Sequence, residues 1–116
     1  KTDFILCDRF YDASIAYQGY GRGLDINFIN QLVKAISCPV PDLTFVLDLD
    51  PLEGFKRKST DKMDRIESSG IDFFKNVRSG YLEQAKNFSS RIKVIDASMD
   101  INQISDQIIT HIKTIL

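Results

Sequence analysis

Three short runs of apolar residues limit the folds that this chain can adopt. They cover residues 4–7, 43–47 and 92–95. The first two runs are nearly continuous rather than alternating, as in parallel strands that helices cover on both faces. Apolar residues at helical spacing follow each run, so the sequence predicts an α/β fold with a parallel sheet of three strands and flanking helices.

Helical stripes of apolar residues fill the segments between and after these runs. The stripes consist of Phe28, Leu32 and Ile36, of Phe74, Val77, Tyr81, Ala85 and Phe88, and of Ile101, Ile104, Ile108, Ile112 and Ile115. Asp100 and Gln103 form a capping-box pattern at the start of the last stripe. Asp50 before Pro51 predicts a further helix directly after the second strand, because Asp is a good N-cap and Pro fits the first helical turn.

The charge balance of the chain limits its partners. Fifteen Lys and Arg against sixteen Asp and Glu leave a net charge of −1, so no overall field favours nucleic acid or an anionic membrane. No apolar run approaches the roughly 20 residues of a membrane span, and the first residues do not look like a secretory signal. We expect one cytoplasmic domain over residues 1–116 that binds neither nucleic acid nor membrane.

Asp8 and Arg9 follow the first apolar run, where a ligand site is expected. In open α/β sheets, ligands bind beyond the carboxyl ends of the strands. A carboxylate there can hold hydrated magnesium beside nucleotide phosphates, and an arginine can bind a phosphate through its planar fork. The two side chains can instead pair with each other or cap the next helix, and their spacing alone does not decide between these interpretations.

Residues 56–67 are crowded with charge and have few apolar side chains, which is typical of a surface segment and predicts a lid over the site. The charged residues include Lys56, Arg57, Lys58, Lys62 and Arg65, together with Asp61 and Asp64. Phosphoryl transfer needs such cations, because negative charge develops on the transferred group. A solvated charged face is the alternative.

Residues 8–23 read DRFYDASIAYQGYGRG and closely resemble the bacterial thymidylate kinase signature. In that signature, D-R and an aromatic residue or His lead to a small hydroxyl residue and then to A-Y-Q-G-x-G-R-G. Residues 41–48 resemble the family's PDLT-x-x-LD strand, and DRIE at 64–67 with DFF at 72–74 resembles its lid exit. The order and spacing agree from residue 4 to the final helix, so the resemblance covers essentially the whole chain.

The resemblance implies transfer of a phosphoryl group from ATP to thymidine monophosphate (dTMP), giving the diphosphate for dTTP synthesis, with Mg²⁺ as cofactor. It implies that Arg9 holds the 5′-phosphate of the acceptor and that Asp8 faces Mg²⁺ through water. Arg57 corresponds to a lid arginine with a catalytic role, and Asp64 and Glu67 come near the sugar or the phosphate-binding cations. Related lids carry further arginines where this chain has lysines, and lysine lacks the bidentate fork.

Four further residues are assigned to the acceptor pocket by the same resemblance. Ser14 and Gln18 are expected to line the thymine pocket, Tyr17 to pack under the sugar, and Phe10 to belong to the same set. From the residue types alone, Tyr17 can equally be a core aromatic, and the Ser14 hydroxyl can bond back to the backbone. The family is commonly a homodimer through helices, so the stripe from Phe28 to Ile36 is either a dimer contact or a buried core face.

The motif G-x-x-x-x-G-K-[ST], which holds ATP phosphates, does not occur in the chain. In the fold that the resemblance implies, the P-loop strand lies between the strand ending at Asp8 and the strand ending near Asp48. We therefore expect the C-terminal part of a single P-loop kinase domain, with the central strand missing and no activity on its own. The alternatives are a kinase for another deoxynucleotide and a non-catalytic module that binds a nucleotide or a protein.

Overall fold

A parallel sheet of two strands is the only sheet in the computed structural model, which describes residues 4–58 and 68–116, with side chains for 4–54 and 70–116. The strands are β1, Thr44–Asp48, and β2, Ile92–Asp96. They pair in parallel with Val46 opposite Val94. The α/β class and the parallel sheet predicted from the sequence are therefore confirmed.

Five α-helices and one π-helix accompany the sheet in these residues. They are α1 (Tyr11–Ser14), which continues as the π-helix (Ile15–Gly21), then α2 (Ile26–Ala35), α3 (Pro51–Lys58), α4 (Ser68–Asn87) and α5 (Ile101–Lys113). None of the helices in the described part of the chain combines the length and the apolar character needed to cross a bilayer.

The predicted strand at residues 4–7 is absent, so the expectation of three strands is wrong. The segment is irregular, and Leu6 leaves 93% of its surface exposed. A strand exists only when its backbone N–H and C=O groups pair with a neighbour, and within residues 4–58 and 68–116 no strand runs beside this segment. Apolar composition alone therefore did not produce a strand here.

Local capping groups place the starts of α3 and α5 where the sequence predicts them. The Asp50 carboxylate accepts a hydrogen bond of 2.9 Å from the Leu52 N–H. At α5, the Asp100 carboxylate accepts the Gln103 N–H at 2.8 Å, and the Gln103 side chain accepts the Asp100 N–H at 3.3 Å. These bonds satisfy N–H groups that a helix N-terminus otherwise leaves without partners.

The core lies where α4 packs on the sheet and on the π-helix. Val46, Ala85 and Ile92 form one buried cluster, with Tyr81 packed against it. Val77, one turn before Tyr81, is buried as well. The predicted stripe on α4 therefore faces the core along most of its length, and it emerges only beyond the helix end.

The predicted stripe on α2 faces away from the core. Phe28, Leu32 and Ile36 are all exposed, Ile36 by 72%, whereas Ile29 is buried against the π-helix side of the fold. The interpretation of this stripe as the buried face of a core helix is therefore wrong within the described residues. The dimer interpretation is not tested by these contacts and stays a prediction.

A buried ion pair joins α1 to the turn before β2. Arg91 donates to both carboxylate oxygens of Asp12, at 2.8 and 3.0 Å. The guanidinium also lies over the rings of Tyr11 and Phe88, 5.5 and 5.1 Å from their centroids. The hydrogen bonds to Asp12 raise the pKa of Arg91, so the pair stays charged. Breaking such a pair leaves an uncompensated buried charge, which is strongly destabilising.

Candidate functional site

The π-helix packs closely on α4 because glycines replace larger residues at the contact. A methyl group at Gly21 would lie 2.8 Å from Phe73 Cε1 and 2.9 Å from Val77 Cγ2. A methyl group at Gly80 would lie 2.8 Å from three carbon atoms of Tyr20. Glycine permits this approach because it has no Cβ. The close contact brings aromatic residues of the two helices together.

An aromatic–arginine cluster forms at this contact and consists of Arg9, Tyr17, Arg22, Phe73 and Tyr81. The Tyr17 ring lies 6.1 Å from the Phe73 ring and 6.2 Å from the Tyr81 ring, which meets it edge-on. The guanidinium of Arg9 covers the Tyr17 ring at 5.3 Å from the centroid, and that of Arg22 covers Phe73 at 5.5 Å. Two cations thus stand over rings at one end of the fold.

Arg9 reaches this position through an unusual backbone conformation. Its φ is 63°, in the left-handed region that non-glycine residues rarely adopt. Such strain persists only where the surrounding structure fixes it, and it occurs often at functional sites. Within the described residues Arg9 does not pair with Asp8, and the residue at the N-cap of α1 is Phe10, with no side-chain cap. The predicted alternatives of mutual pairing and helix capping are therefore wrong.

Burial raises the pKa of the Tyr81 hydroxyl, and the nearby Tyr17 hydroxyl adds to this effect, whereas Arg9 opposes it. The phenol therefore stays neutral at physiological pH. A neutral hydroxyl in the cluster can donate or accept a hydrogen bond without adding negative charge beside Arg9.

The other predicted pocket residues lie on the same short helical segment. Ser14 and Gln18 are exposed at the end of α1 and on the π-helix, and the Gln18 carbonyl accepts the Leu24 N–H at 2.9 Å. Phe10 is half-buried with its ring 5.3 Å from that of Tyr11. Tyr17 is half-buried in the cluster and not fully enclosed in the core. The structure thus brings Arg9 and Tyr17 into contact and leaves Ser14 and Gln18 open to solvent.

The predicted lid residues are not placed by the structure. Lys56, Arg57 and Lys58 end α3, and only their backbone is described. The remaining predicted residues lie outside the described residues and are Lys62, Asp64, Arg65 and Glu67. Their assigned roles stay predictions.

A second group of polar residues gathers at the carboxyl end of β1. Arg78 donates to both carboxylate oxygens of Asp48 at 2.8 and 3.0 Å, and its guanidinium lies 3.6 Å from Asp50. The hydrogen bond to Asp48 raises the pKa of Arg78, so its charge is permanent. A pocket of about 110 Å³ adjoins the pair and is lined by Val46, Leu47, Asp48, Leu49, Phe74, Val77, Arg78 and Tyr81.

Sequence reasoning did not assign Arg22, Phe73, Arg78 or Tyr81 to a site. The available signal was the helical spacing on α4, where Arg78 falls three residues before Tyr81 and adjoins the buried Val77. A long cation inside an apolar stripe needs an acidic partner when the helix is buried. The identity of that partner, thirty residues away in sequence, was not visible.

Asp8 is suited to Mg²⁺ bound largely by water and phosphate. It is an exposed carboxylate, and no group of three or more His, Cys, Asp or Glu residues that could hold a metal occurs among residues 4–58 and 68–116. Mg²⁺ commonly takes one or two protein carboxylates and completes its octahedron with water and substrate phosphates. One exposed carboxylate next to an arginine is compatible with that coordination.

Ligands of open parallel α/β sheets bind beyond the carboxyl ends of the strands, and Arg78, Asp48 and Asp50 meet at this position beside the aromatic residues of α4. The thymidylate kinase family profile matches residues 1–108. The chain therefore belongs to the thymidylate kinase family, and the resemblance seen in its sequence is confirmed.

Individual relatives agree with this assignment. The chain is similar to thymidylate kinase of Ruthia magnifica subsp. Calyptogena magnifica, with 49% identity over 110 residues, covering 93% of this chain and 54% of the relative. That of Kosmotoga olearia is 44% identical over 111 residues, covering 94% and 53%. A crystal structure of thymidylate kinase from Ehrlichia chaffeensis matches with a TM-score of 0.69 and 34% identity, covering 92% of this chain and 47% of that one. The chain thus spans about half the length of the curated relatives it matches.

Replacing Gly80 with Ala is expected to destabilise the complete protein by about 1–3 kcal/mol, because the added methyl group overpacks the contact with Tyr20. Gly54→Ala is the matched control. Its methyl group would meet only Leu49 Cδ2, at 3.8 Å, so the higher helix propensity of Ala should stabilise α3 by up to about 1 kcal/mol. Urea unfolding measures both. Equal gains in stability from the two variants would contradict the close packing of the π-helix on α4.

Proposed function

We propose that the complete protein transfers the γ-phosphoryl group of ATP to dTMP, giving thymidine diphosphate, in the cytoplasm. Membership of the thymidylate kinase family supports the reaction. The observation that carries the proposal for this chain is the Arg9 guanidinium over the Tyr17 ring, at 5.3 Å from its centroid. It sets a guanidinium, a group that can bind phosphate, against an aromatic side chain that can pack on a nucleoside.

The acceptor side of the proposed site follows from the orientation of this stack. A guanidinium that lies over a ring still carries its N–H donors in its own plane, where they can bind the 5′-phosphate of dTMP. Tyr17 then packs under the sugar, and Phe10 supports the segment that leads into α1. The exposed hydroxyl of Ser14 and amide of Gln18 are available to bind the polar atoms of thymine.

The donor side requires ATP and Mg²⁺. Mg²⁺ bound between phosphates neutralises part of their negative charge during transfer. Asp8 would hold this ion through its water ligands, since it is an exposed carboxylate next to Arg9. The sequence 1–116 has no G-x-x-x-x-G-K-[ST] motif, so contacts to the ATP phosphates of that type are not supplied by these residues.

The cations after β1 complete the proposed reaction centre. Arg57 would stabilise the charge that develops on the transferred group, assisted by the neighbouring lid cations. Asp64 and Glu67 would come near the sugar or these cations. The assisting cations are Lys56, Lys58, Lys62 and Arg65. What supports this set is its position in the sequence, at the end of α3 and directly after it, since α3 begins at the carboxyl end of β1.

We also propose that two copies of the protein associate through α2. Phe28, Leu32 and Ile36 form an exposed apolar stripe on that helix, and the adjoining face, with Ile29, packs inward. Exposed apolar stripes of this kind commonly mark interaction surfaces. Two such stripes packed against each other would form a symmetric contact.

Replacing Arg9 with Ala is expected to weaken dTMP binding and lower kcat/KM by roughly 10- to 100-fold, because a charge-assisted bond worth about 1.5–3 kcal/mol is lost in both ground and transition states. Calorimetric titration and a coupled ADP-release assay of the complete protein measure the two quantities. Thymidine, which lacks the 5′-phosphate, is the control ligand and should bind the variant and the wild type equally.

Unchanged kinetics in Arg9→Ala would remove this residue from the site. A wild-type protein that phosphorylates another deoxynucleoside monophosphate in preference to dTMP would overturn the proposed acceptor. A protein that binds dTMP and transfers no phosphoryl group would instead support a binding module.

Replacing Arg57 with Ala is expected to lower kcat by about 100- to 1000-fold and to leave the dTMP Kd near its wild-type value, because its contact forms as charge develops in the transition state. The same assay and titration separate the two effects. An effect confined to dTMP affinity would show that another lid cation stabilises the transferred group.

Replacing Leu32 with Glu is expected to convert the proposed dimer into a monomer, because a charge would then be buried in the apolar contact. Gln31→Glu adds the same charge at an adjacent exposed position of α2 and should leave the dimer intact. Sedimentation velocity of the complete protein measures the mass of each species. A monomeric wild type, or a dimeric Leu32→Glu variant, would exclude this interface.

A further inference from the structure

Arg78 has no part in the proposed acceptor site, yet it makes a bidentate contact with Asp48 at the end of β1. Its Nε and Nη2 atoms donate to the two carboxylate oxygens of Asp48, at 2.8 and 3.0 Å. Its Nη1 atom lies 3.6 Å from the carboxylate of Asp50. A planar fork can hold two carboxylates at once in this way, and the single ammonium of lysine cannot reproduce it.

Asp48 and Asp50 carry this contact into the backbone of the following segment. The Asp48 carbonyl accepts the Ala97 N–H at 2.8 Å, which ties the end of β1 to the residue after β2. The Asp50 carboxylate accepts the Leu52 N–H at 2.9 Å and therefore caps α3. An unbroken series of contacts thus runs from the side of α4 to the first turn of α3.

The same helix α4 also forms one wall of the aromatic–arginine cluster. Tyr81, one turn after Arg78, meets the Tyr17 ring edge-on and lines the pocket that adjoins Asp48. Helix α3 in turn packs against α4, and its last turn includes Arg57, the proposed catalytic cation. Helix α4 therefore forms part of the aromatic–arginine cluster. Through Arg78 it also contacts the N-terminus of α3, the helix that carries the proposed cation Arg57.

We propose that Arg78 is a positioning residue for phosphoryl transfer. By holding Asp48 and Asp50, it fixes the first turn of α3 relative to the aromatic–arginine cluster, so that the C-terminal end of α3 lies at a set distance from the bound acceptor. Arg78 touches neither substrate. This role rests on the proposed function for its catalytic consequence, whereas the fixing of α3 is a structural effect that can be measured independently.

The test compares Arg78→Gln and Arg78→Lys with the wild type in the complete protein. The kcat of Arg78→Gln for dTMP phosphorylation should fall by about 10- to 100-fold, the range that small misplacement of a reacting group causes. The KM for dTMP should change little, because the acceptor contacts are not altered. Arg78→Lys keeps the charge without the fork and should recover only part of the lost kcat.

Arg91→Gln is the matched control. The Arg91–Asp12 pair has the same two bond lengths, 2.8 and 3.0 Å, and it is the more buried of the two pairs, so its loss is at least as disruptive to the fold. The partners of its guanidinium, Asp12, Tyr11 and Phe88, all lie outside α3. Arg91→Gln should therefore lower stability and leave the exchange of the Leu52 and Gly54 amides at the wild-type rate, which separates the fixing of α3 from general destabilisation.

Hydrogen exchange provides a readout that does not depend on turnover. In Arg78→Gln and in Arg78→Lys, the amides of Leu52 and Gly54 in the first turn of α3 should exchange faster than in the wild type. Amides of α5, which is capped by Asp100, should exchange at the wild-type rate. If Arg78→Gln does not fold, kcat and the exchange rates are both measured on Arg78→Lys.

The outcomes distinguish this proposal from the proposed function. A wild-type protein that does not phosphorylate dTMP would contradict the proposed function. The exchange rates would still show whether Arg78 fixes α3. Wild-type kcat in Arg78→Lys, unchanged exchange at Leu52 and Gly54 in the Arg78 variants, or equally faster exchange there in Arg91→Gln would each overturn the positioning role.

Discussion

The close approach of the π-helix to α4 is the contact on which the site depends. It exists because Gly21 and Gly80 each leave room for an aromatic residue of the other helix. Without that approach, Tyr17 would not meet Phe73 and Tyr81. A helix with the wider π geometry is also common at functional sites. Packing of two backbones thus comes first, and the arrangement of rings and cations follows from it.

Two arginine forks then connect parts of the chain that are distant in sequence. Arg91 joins Asp12 across 79 residues, and Arg78 joins Asp48 across 30. Paired charges in partly buried positions stabilise a fold less than apolar packing does, but they tolerate few alternative geometries. Their contribution is to orientation: one fork holds α1 against the turn before β2, and the other holds α4 against the end of β1.

The sequence predicted those features that depend on neighbours along the chain. The starts of α3 and α5 are set by Asp50 and Asp100, whose partners lie two and three residues away. The features that it missed depend on distant partners. The run at 4–7 has the composition of a strand but no strand beside it in the described residues, and α2 buries Ile29 instead of the stripe that includes Ile36. The motif around Arg9 and Tyr17 predicted two residues that the structure brings into contact, whereas Arg78 could not be found from the sequence because neither charge pairing nor helix orientation is local.

At Arg9, the left-handed backbone and the arginine side chain place opposite demands on one residue: the backbone conformation favours glycine, and the cation requires arginine. Glycine would adopt a φ of 63° without steric cost, whereas an L-residue loses roughly 1–2 kcal/mol there. Glycine has no guanidinium, however, and could not supply the cation that lies over the Tyr17 ring. The chain therefore gives up some conformational stability at this position in return for a cation, and the rest of the fold must be stable enough to tolerate that loss.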